Sequence, residues 1–540
     1  MNILLVGGGA REHTIAWKLR QSPRVDDLLV APGNAGTARI ARNLPQIKAN
    51  DLDGIAQAAR EYKVELVVIG PEEPLVLGLA DRLAAEGVAA FGTSKAASHL
   101  EGSKAFCKEL CQRYGIPHAR GASFTSRDDA RDYLKQFDQV PVVKASGLAA
   151  GKGAILCETQ EEALQTIDRM MSEGAFGEAG RTVVIEEHLS GREISVFAFT
   201  DGRTVVPMVP ACDYKRVFDG DEGPNTGGMG SFSQPAWYDA ALAETIRTAI
   251  LEPAVRGMEA EGRPYRGVLY GGLMVTDDGP KVLEFNCRFG DPEAQVTLPR
   301  LKSDLADILW AVATDRLHEV DVQWSDEACV GVVMASGGYP GEYDTGFPIV
   351  GLGSVEEDAL VFHAGTRLDE EGGVVTSGGR VLTVAALDAS LSEARGKAYR
   401  NIQHIHFSRC HYRRDIAAPS QEAVAEQERG QYRLAAEPRR EGGIGKLDDL
   451  QSLKQQLGSY LDSDQGKQQM SASQAVAGKA DNLASHLDRL RAELDRCTSI
   501  AEVRAVVGSV AYEIRAVQEK LGEADAFHAE LYKICERFGI

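Results

Sequence analysis

The first hundred residues repeat one unit: a short apolar run, a turn carrying glycine or proline, then an amphipathic helical stretch. Residues 3–6 run into Gly7-Gly8-Gly9 and a helical stretch over 12–20. Residues 27–31 and 65–70 are further apolar runs, the last closed by Pro71. Such alternation predicts a parallel sheet whose ligand loops lie at the C-terminal ends of its strands. The opening run lacks a basic segment and passes straight into a glycine turn, so it reads as a buried strand and not as a secretion signal. No run reaches the ~18–20 apolar residues that a membrane span needs. The expectation is a cytoplasmic protein with no membrane partner.

At 540 residues the chain exceeds one core, and ~100–200 residues per domain suggests about three to five. An α/β substrate domain is expected over 1–100. From 101 to 325 the pattern becomes α+β, with strand-like arms at 141–144 and 154–157 around a glycine-rich turn, so that 120–190 reads as a mobile lid. Strands are expected at 182–187, 192–200, 204–208, 267–276 and 281–286, and a helix over 161–171. A smaller α/β unit follows over 326–417, with strands at 329–335, 361–364 and 380–386. Residues 418–478 are polar and read as a linker. Over 479–540 three apolar stripes at helical spacing predict an all-α extension, and they suggest self-association or docking. The nine cysteines are dispersed and give no disulfide framework. A net charge of −20 argues against general nucleic-acid binding, because a phosphate backbone would be repelled.

Five segments carry candidate chemistry. In LEFNCRFGDPE (283–293) strand alternation puts Glu284 and Asn286 on one face. A carboxylate and an amide oxygen side by side suit Mg²⁺ held between protein and triphosphate, and Arg288 and Asp291 follow in the turn. In KASGLAAGKG (144–153) Lys144 and Lys152 flank small residues, Gly151 and Gly153 among them, whose bare amides can close over phosphates. Its order is not that of a P-loop. In IEEHLSGREISV (185–196) Glu186 and Glu187 end one strand and Glu193 begins the next. Residues 213–233 are rich in glycine, proline and asparagine and read as a long irregular loop, with Lys215 and Arg216 beside Asp213. In GGGAREH (7–13) Glu12 stands where a dinucleotide fingerprint wants its last glycine, which leaves an anion cradle at a helix start.

These segments, with APGNAGT (31–37), GPEEPLV (70–76), EGSKAF (101–106), ASGGYPG (335–341), FHAGT (362–366) and SGGRVL (377–382), stand in one order along the chain. In that order and spacing they resemble the glycinamide ribonucleotide synthetases, the phosphoribosylamine–glycine ligases of the ATP-grasp superfamily, over about residues 1–416. Any one motif is modestly specific; the ordered set is highly specific. Ser146 stands where the family pattern has Asp, Ala10 replaces a fourth glycine, and the tail after about Glu426 has no counterpart.

The resemblance implies a pre-ATP-grasp domain, an ATP-grasp domain and a small C-terminal domain. It also implies ligation of glycine to 5-phosphoribosylamine through glycyl phosphate, with ATP and Mg²⁺ or Mn²⁺. On that basis Glu284 and Asn286 hold the metal, and Lys104 and Lys144 contact ATP phosphates under a lid at Gly151, Lys152 and Gly153. Glu186, Glu187 and Leu189 border the adenine pocket, and Glu193 the ribose. Arg288, and with it Lys144, serves the chemistry. Asp213, Lys215 and Asp291 lie near glycine, and Gly8, Gly9, Asn34 and Glu72 near the phosphoribosyl group. Another ATP-grasp carboxylate–amine ligase, an NAD-binding dehydrogenase module at the N-terminus and a silent scaffold are the rival readings.

Overall fold

Residues Ile3–Gly7 form a fully buried strand that pairs in parallel with Leu28–Pro32 on one side and Leu66–Ile69 on the other. Their Val, Ile and Leu content suits a strand covered on both faces. Arg42–Asn43 and Ala89–Phe91 extend this to a five-stranded sheet, parallel throughout. The chain builds outward from the first strand in one direction, then returns to its other side. The crevice between Ile3–Gly7 and Leu66–Ile69 is therefore the topological switch point, where open parallel sheets take ligands. This computed structural model describes residues 1–149 and 153–418. The expected helical extension lies outside the described residues, as do nearly all of the linker and Gly151 and Lys152 of the lid turn.

Glu12 fills the base of that crevice. A Cβ on Gly7 would lie 2.4 Å from its Cγ, and one on Gly70 2.3 Å from its Oε1, so both strand ends need glycine here. Glu12 Oε2 accepts from the Gly9 amide (2.7 Å), and Arg11 Nε donates to Oε1 (2.6 Å). The carboxylate closes a capping box on the helix Ala10–Leu19. The Gly9 amide, expected to be offered to an anion, is engaged within the protein. Glu12 thus holds the place of the last glycine of a dinucleotide fingerprint and is committed to this cap, which disfavours the dehydrogenase alternative.

Two further sheets follow. Gly121–Phe124, Val183–Glu186, Val142–Ala145 and Ala154–Leu156 form an antiparallel four-stranded sheet. The helices Arg127–Leu134 and Gln160–Met171 cover it with their own small core of Leu134, Val143, Ile167 and Ile185. Val205–Pro207, Arg192–Asp201, Arg266–Thr276 and Gly279–Asn286 form the other, also antiparallel. These two sheets are the cores of two lobes, the first the smaller. Among the described residues no helix is long and apolar enough to cross a membrane.

Residues 213–233 depart from the expected irregular loop. Arg216–Phe218 and Glu222–Asn225 pair as a hairpin, and Gly230–Ser233 joins Ala328–Ser336 in the six-stranded sheet of the C-terminal unit. These strands are three and four residues long, too short for a two-residue period to show among turn residues.

The first and last units share a buried wall. The His363 amide donates to His13 Nδ1 (2.8 Å), Asn34 Nδ2 donates to the His363 carbonyl (2.7 Å), and Trp17 meets Phe362 edge-on at 5.7 Å. Burial, then His363 and Arg39, lower His13 to about 3; burial and Arg39 lower His363 to about 4. Both stay neutral when folded and take up protons near 6.5 when unfolded. Their contribution is therefore complete above that value and is lost as pH falls through it. At pH 5 the loss relative to pH 8 is about 2 kcal/mol for each. In denaturant melts at the two pH values, His13→Asn should shrink the drop by about 2 kcal/mol. An unchanged drop would show that His13 does not titrate on unfolding.

Candidate active site

Glu284 and Asn286 share one face of the strand Gly279–Asn286, as alternation requires, and Asn286 Nδ2 lies 3.4 Å from Glu284 Oε1. Burial alone would raise the Glu284 carboxyl. Lys215, Lys104, Lys144 and Arg288 outweigh it and hold the group below its ordinary value, hence ionised. Asn286 Oδ1 faces Arg288 Nη2 at 3.3 Å. One carboxylate and one amide oxygen are hard donors, the set that holds Mg²⁺ when phosphates complete its shell. Among the described residues no group of three or more His, Cys, Asp or Glu side chains forms an all-protein metal centre. The donors present thus fit a cation shared with a nucleotide.

Lys144 sits buried on the smaller lobe's strand Val142–Ala145 and reaches across to the Leu283 carbonyl (3.1 Å). Its ammonium pairs with Glu186 Oε2 (2.5 Å), while Lys108 takes Glu186 Oε1 (2.8 Å). Burial would raise Glu186, but the two lysines hold it low. Glu186, expected to border adenine, has both of its oxygens on lysines and anchors the cationic floor. Lys104 opens the helix Lys104–Arg113 behind the cap Ser103, and Lys108 lies one turn on, along the same face. Ser146 ties the lid turn to this helix start. Its carbonyl accepts from the Lys104 amide (2.8 Å) and its hydroxyl from the Ala105 amide (3.1 Å). Gly153 closes the turn by accepting from the Ala145 amide (2.8 Å).

Glu187 Oε1 accepts from the Arg120 amide (2.8 Å), and Leu189 is buried. Beside this linking segment a cavity of about 250 Å³ is lined by Val142, Leu156 and His188. Glu193 pairs with Lys215, whose ammonium also lies 4.0 Å from Asp213 Oδ1. Burial, with Glu293 and Glu284 adding, pushes Asp213 up to about 6 against the pull of Lys215. Burial disfavours the Lys215 ammonium, but Asp213, Glu193 and Glu284 outweigh it and hold the group well above its ordinary value.

At the far end Arg288 faces Glu101 (3.2 Å) and Glu72 (3.4 Å). Glu101 also accepts from the Cys287 amide (2.7 Å). Glu72 was placed with the phosphoribosyl group, and the structure ties it to Arg288. Asp291 pairs with Arg380 (3.1 Å) and accepts from Gln295 (2.7 Å). A Cβ on Gly9 would lie 3.6 Å from Asp291 Oδ2, which brings the glycine turn of the first sheet up to this end. A Cβ on Gly8 would lie 2.8 Å from the Gly33 carbonyl. Asn34 is spent on structure. Its amide donates to the carbonyls of Gly8 (3.0 Å) and His363, and its oxygen accepts from Gly36 (2.8 Å) and Thr37 (2.9 Å).

Sequence reasoning missed Glu101, Lys108 and Arg380. Glu101 and Arg380 stand inside motifs already singled out. For Lys108 the only signal was its position one helical turn after Lys104.

A buried lysine on a small antiparallel lobe, facing a carboxylate–asparagine pair on a larger one, defines an ATP-grasp protein. Models of the phosphoribosylglycinamide synthetase N domain, ATP-grasp (A) domain and C domain match residues 1–101, 102–294 and 329–419 in turn. The chain belongs to the phosphoribosylglycinamide synthetase family. It is 47% identical over 427 residues to the phosphoribosylamine–glycine ligase of Halalkalibacterium halodurans, covering 79% of this chain and 98% of that one. It is 50% identical over 418 residues to the trifunctional purine biosynthetic protein adenosine-3 of Gallus gallus, covering 77% of this chain and 42% of that protein. The crystal structure of the Thermotoga maritima phosphoribosylamine–glycine ligase superposes with a TM-score of 0.67 at 33% identity, over 77% of this chain and all of that one.

Proposed function

We propose that the chain ligates glycine to 5-phosphoribosylamine in purine biosynthesis, forming glycinamide ribonucleotide, ADP and phosphate. The observation that carries this is the ordered set of three family matches, over residues 1–101, 102–294 and 329–419, with a relative that the chain covers almost end to end. A glycine carboxylate oxygen attacks the γ-phosphorus and ADP departs. The ribosylamine nitrogen then attacks the acyl carbon of glycyl phosphate, phosphate departs with the C–O electron pair, and the nitrogen loses a proton.

Lys144 and Lys104 neutralise phosphate oxygens, the main demand of phosphoryl transfer. Mg²⁺ or Mn²⁺ held by Glu284 and Asn286 supplies further neutralisation there. Glu187 and Leu189 border adenine, and Glu193 faces the ribose. Arg288, fixed by Glu101 and Glu72, meets the charge of the acyl phosphate, while Asp213, Lys215 and Asp291 orient glycine. Gly8 and Gly9, at the switch point, face the phosphoribosyl group, with Asn34 pinning their turn. Exclusion of water from the bound substrates protects the acyl phosphate, which would otherwise hydrolyse.

The test is ADP release with ATP, glycine and phosphoribosylamine omitted in turn. Full turnover should need all three. Equal turnover when another amine or amino acid replaces the native pair would favour a different ATP-grasp ligase.

A further inference from the structure

We propose that Arg413, at the far edge of the C-terminal unit, is a positioning residue that holds Asp213 and Lys215 in register with Glu284. The proposal rests on the reading of Asp213 and Lys215 as glycine-site residues. Arg413 follows the short strand Cys410–His411, which pairs with Ala328–Ser336, and its side chain has no exposed surface. Burying a guanidinium is unfavourable unless it is fully paired, and here each arm of the fork has a partner. Nη1 donates to the Arg216 carbonyl (3.0 Å) and Asp221 Oδ1 (2.7 Å), while Nε and Nη2 grip the two oxygens of Asp415 (2.8 and 2.6 Å). The guanidinium lies 4.7 Å from the centre of the Tyr214 ring.

The neighbours of Arg413 repeat the pattern. Asp415 Oδ2 accepts from the Gly220 amide (2.9 Å), the Arg414 amide donates to Asp219 (2.7 Å), and the Ala417 amide donates to the Tyr214 hydroxyl (3.0 Å). Residues 413–417 therefore grip Tyr214 and Arg216, one on either side of Lys215. The Lys215 carbonyl is itself held by the Thr226 amide (2.7 Å) and hydroxyl (2.9 Å). Beyond it Gly227 is fixed by Tyr339 (3.0 Å) and Arg380 (2.6 Å). A planar fork that meets a carbonyl, two carboxylates and a ring at once cannot be replaced by an ammonium. The C-terminal unit thus reaches the chemistry through the backbone on both sides of one lysine.

Misplacing a positioned group by ~1 Å costs on the order of 10²-fold in rate. Arg413→Met should lower kcat/KM for glycine by about that factor while KM for ATP moves less than about 3-fold. Arg413→Lys should fall between. A merely structural role would not give the next result. In a Lys215→Met background, Arg413→Met should cause little further loss in kcat/KM for glycine, because the group it positions is already gone. If Arg413→Met does not fold, Asp221→Ala, which removes one bond of the fork at an exposed carboxylate, should give a smaller loss with the same glycine selectivity. Equal losses for ATP and glycine, full additivity with Lys215→Met, or unchanged glycine kinetics in folded variants would overturn the proposal. Wild-type ADP release that ignores glycine would instead overturn the functional reading beneath it.

Discussion

Glu284→Gln should lower turnover at saturating ATP and glycine by about 10³-fold, or about 4 kcal/mol of barrier. Glutamine keeps the shape of the side chain and loses only its charge. That charge is what Lys215, Lys104, Lys144 and Arg288 hold in the ionised form. Without it the cation beside Asn286 loses its anionic ligand, and four basic groups lose a shared counterion. The fold should survive, because among the described residues the carboxylate's one hydrogen bond is the 3.4 Å contact with Asn286 and the strand is held by its ladder to Arg266–Thr276. Turnover measured against Mg²⁺ and Mn²⁺ concentration should show a raised requirement as well as the lower ceiling. Near-normal turnover at ordinary Mg²⁺ would remove the metal assignment.

Arg288→Lys should lower kcat for amide formation by about 10²–10³-fold, with KM for ATP within a few-fold of the parent. The guanidinium spans Glu72, Glu101, the Asn286 oxygen and the Phe289 carbonyl. An ammonium offers a compact point charge and cannot hold those directions together. Glu101 is buried and already committed to the Cys287 amide and thiol, so it would be left partly unmatched. A loss below about 5-fold would show that Arg288 does not meet charge that develops in the transition state.

Much of this site was legible in one sequence because its key groups lie close together along the chain. Glu284 and Asn286 are two apart on a strand, so alternation alone puts them on one face. Lys104 stands at a helix start and Lys144 at a strand end, both visible from local pattern. What stayed hidden depends on groups far apart in sequence. Glu101 meets Cys287 across 186 positions and Arg413 meets Arg216 across 197, and no local period reports such pairs. Register hides in the same way: an irregularity between Gly272 and Leu273 shifts the pairing beside Glu284 without any glycine or proline to mark it at Leu283. At residues 213–233 the turn residues were read correctly as turns, but they masked the short strands between them. The ion pairs of Glu186 and Glu72 were hidden for one physical reason. A carboxylate near buried cations is drawn to them first, and only the fold shows where Lys108 and Arg288 stand. Glycine and phosphoribosylamine as substrates came from the family resemblance and not from any spacing.

The coupling of ATP to amide formation is tested most directly by the fate of the glycine carboxylate oxygens during the omission assay. With glycine labelled by ¹⁸O in its carboxylate, passage through glycyl phosphate requires one labelled oxygen to leave in each phosphate released, and one to stay in the amide carbonyl. Mass spectrometry of the phosphate should therefore find a single ¹⁸O per turnover, dependent on ATP and phosphoribosylamine. Unlabelled phosphate formed in step with glycinamide ribonucleotide would contradict activation of the glycine carboxylate by phosphoryl transfer.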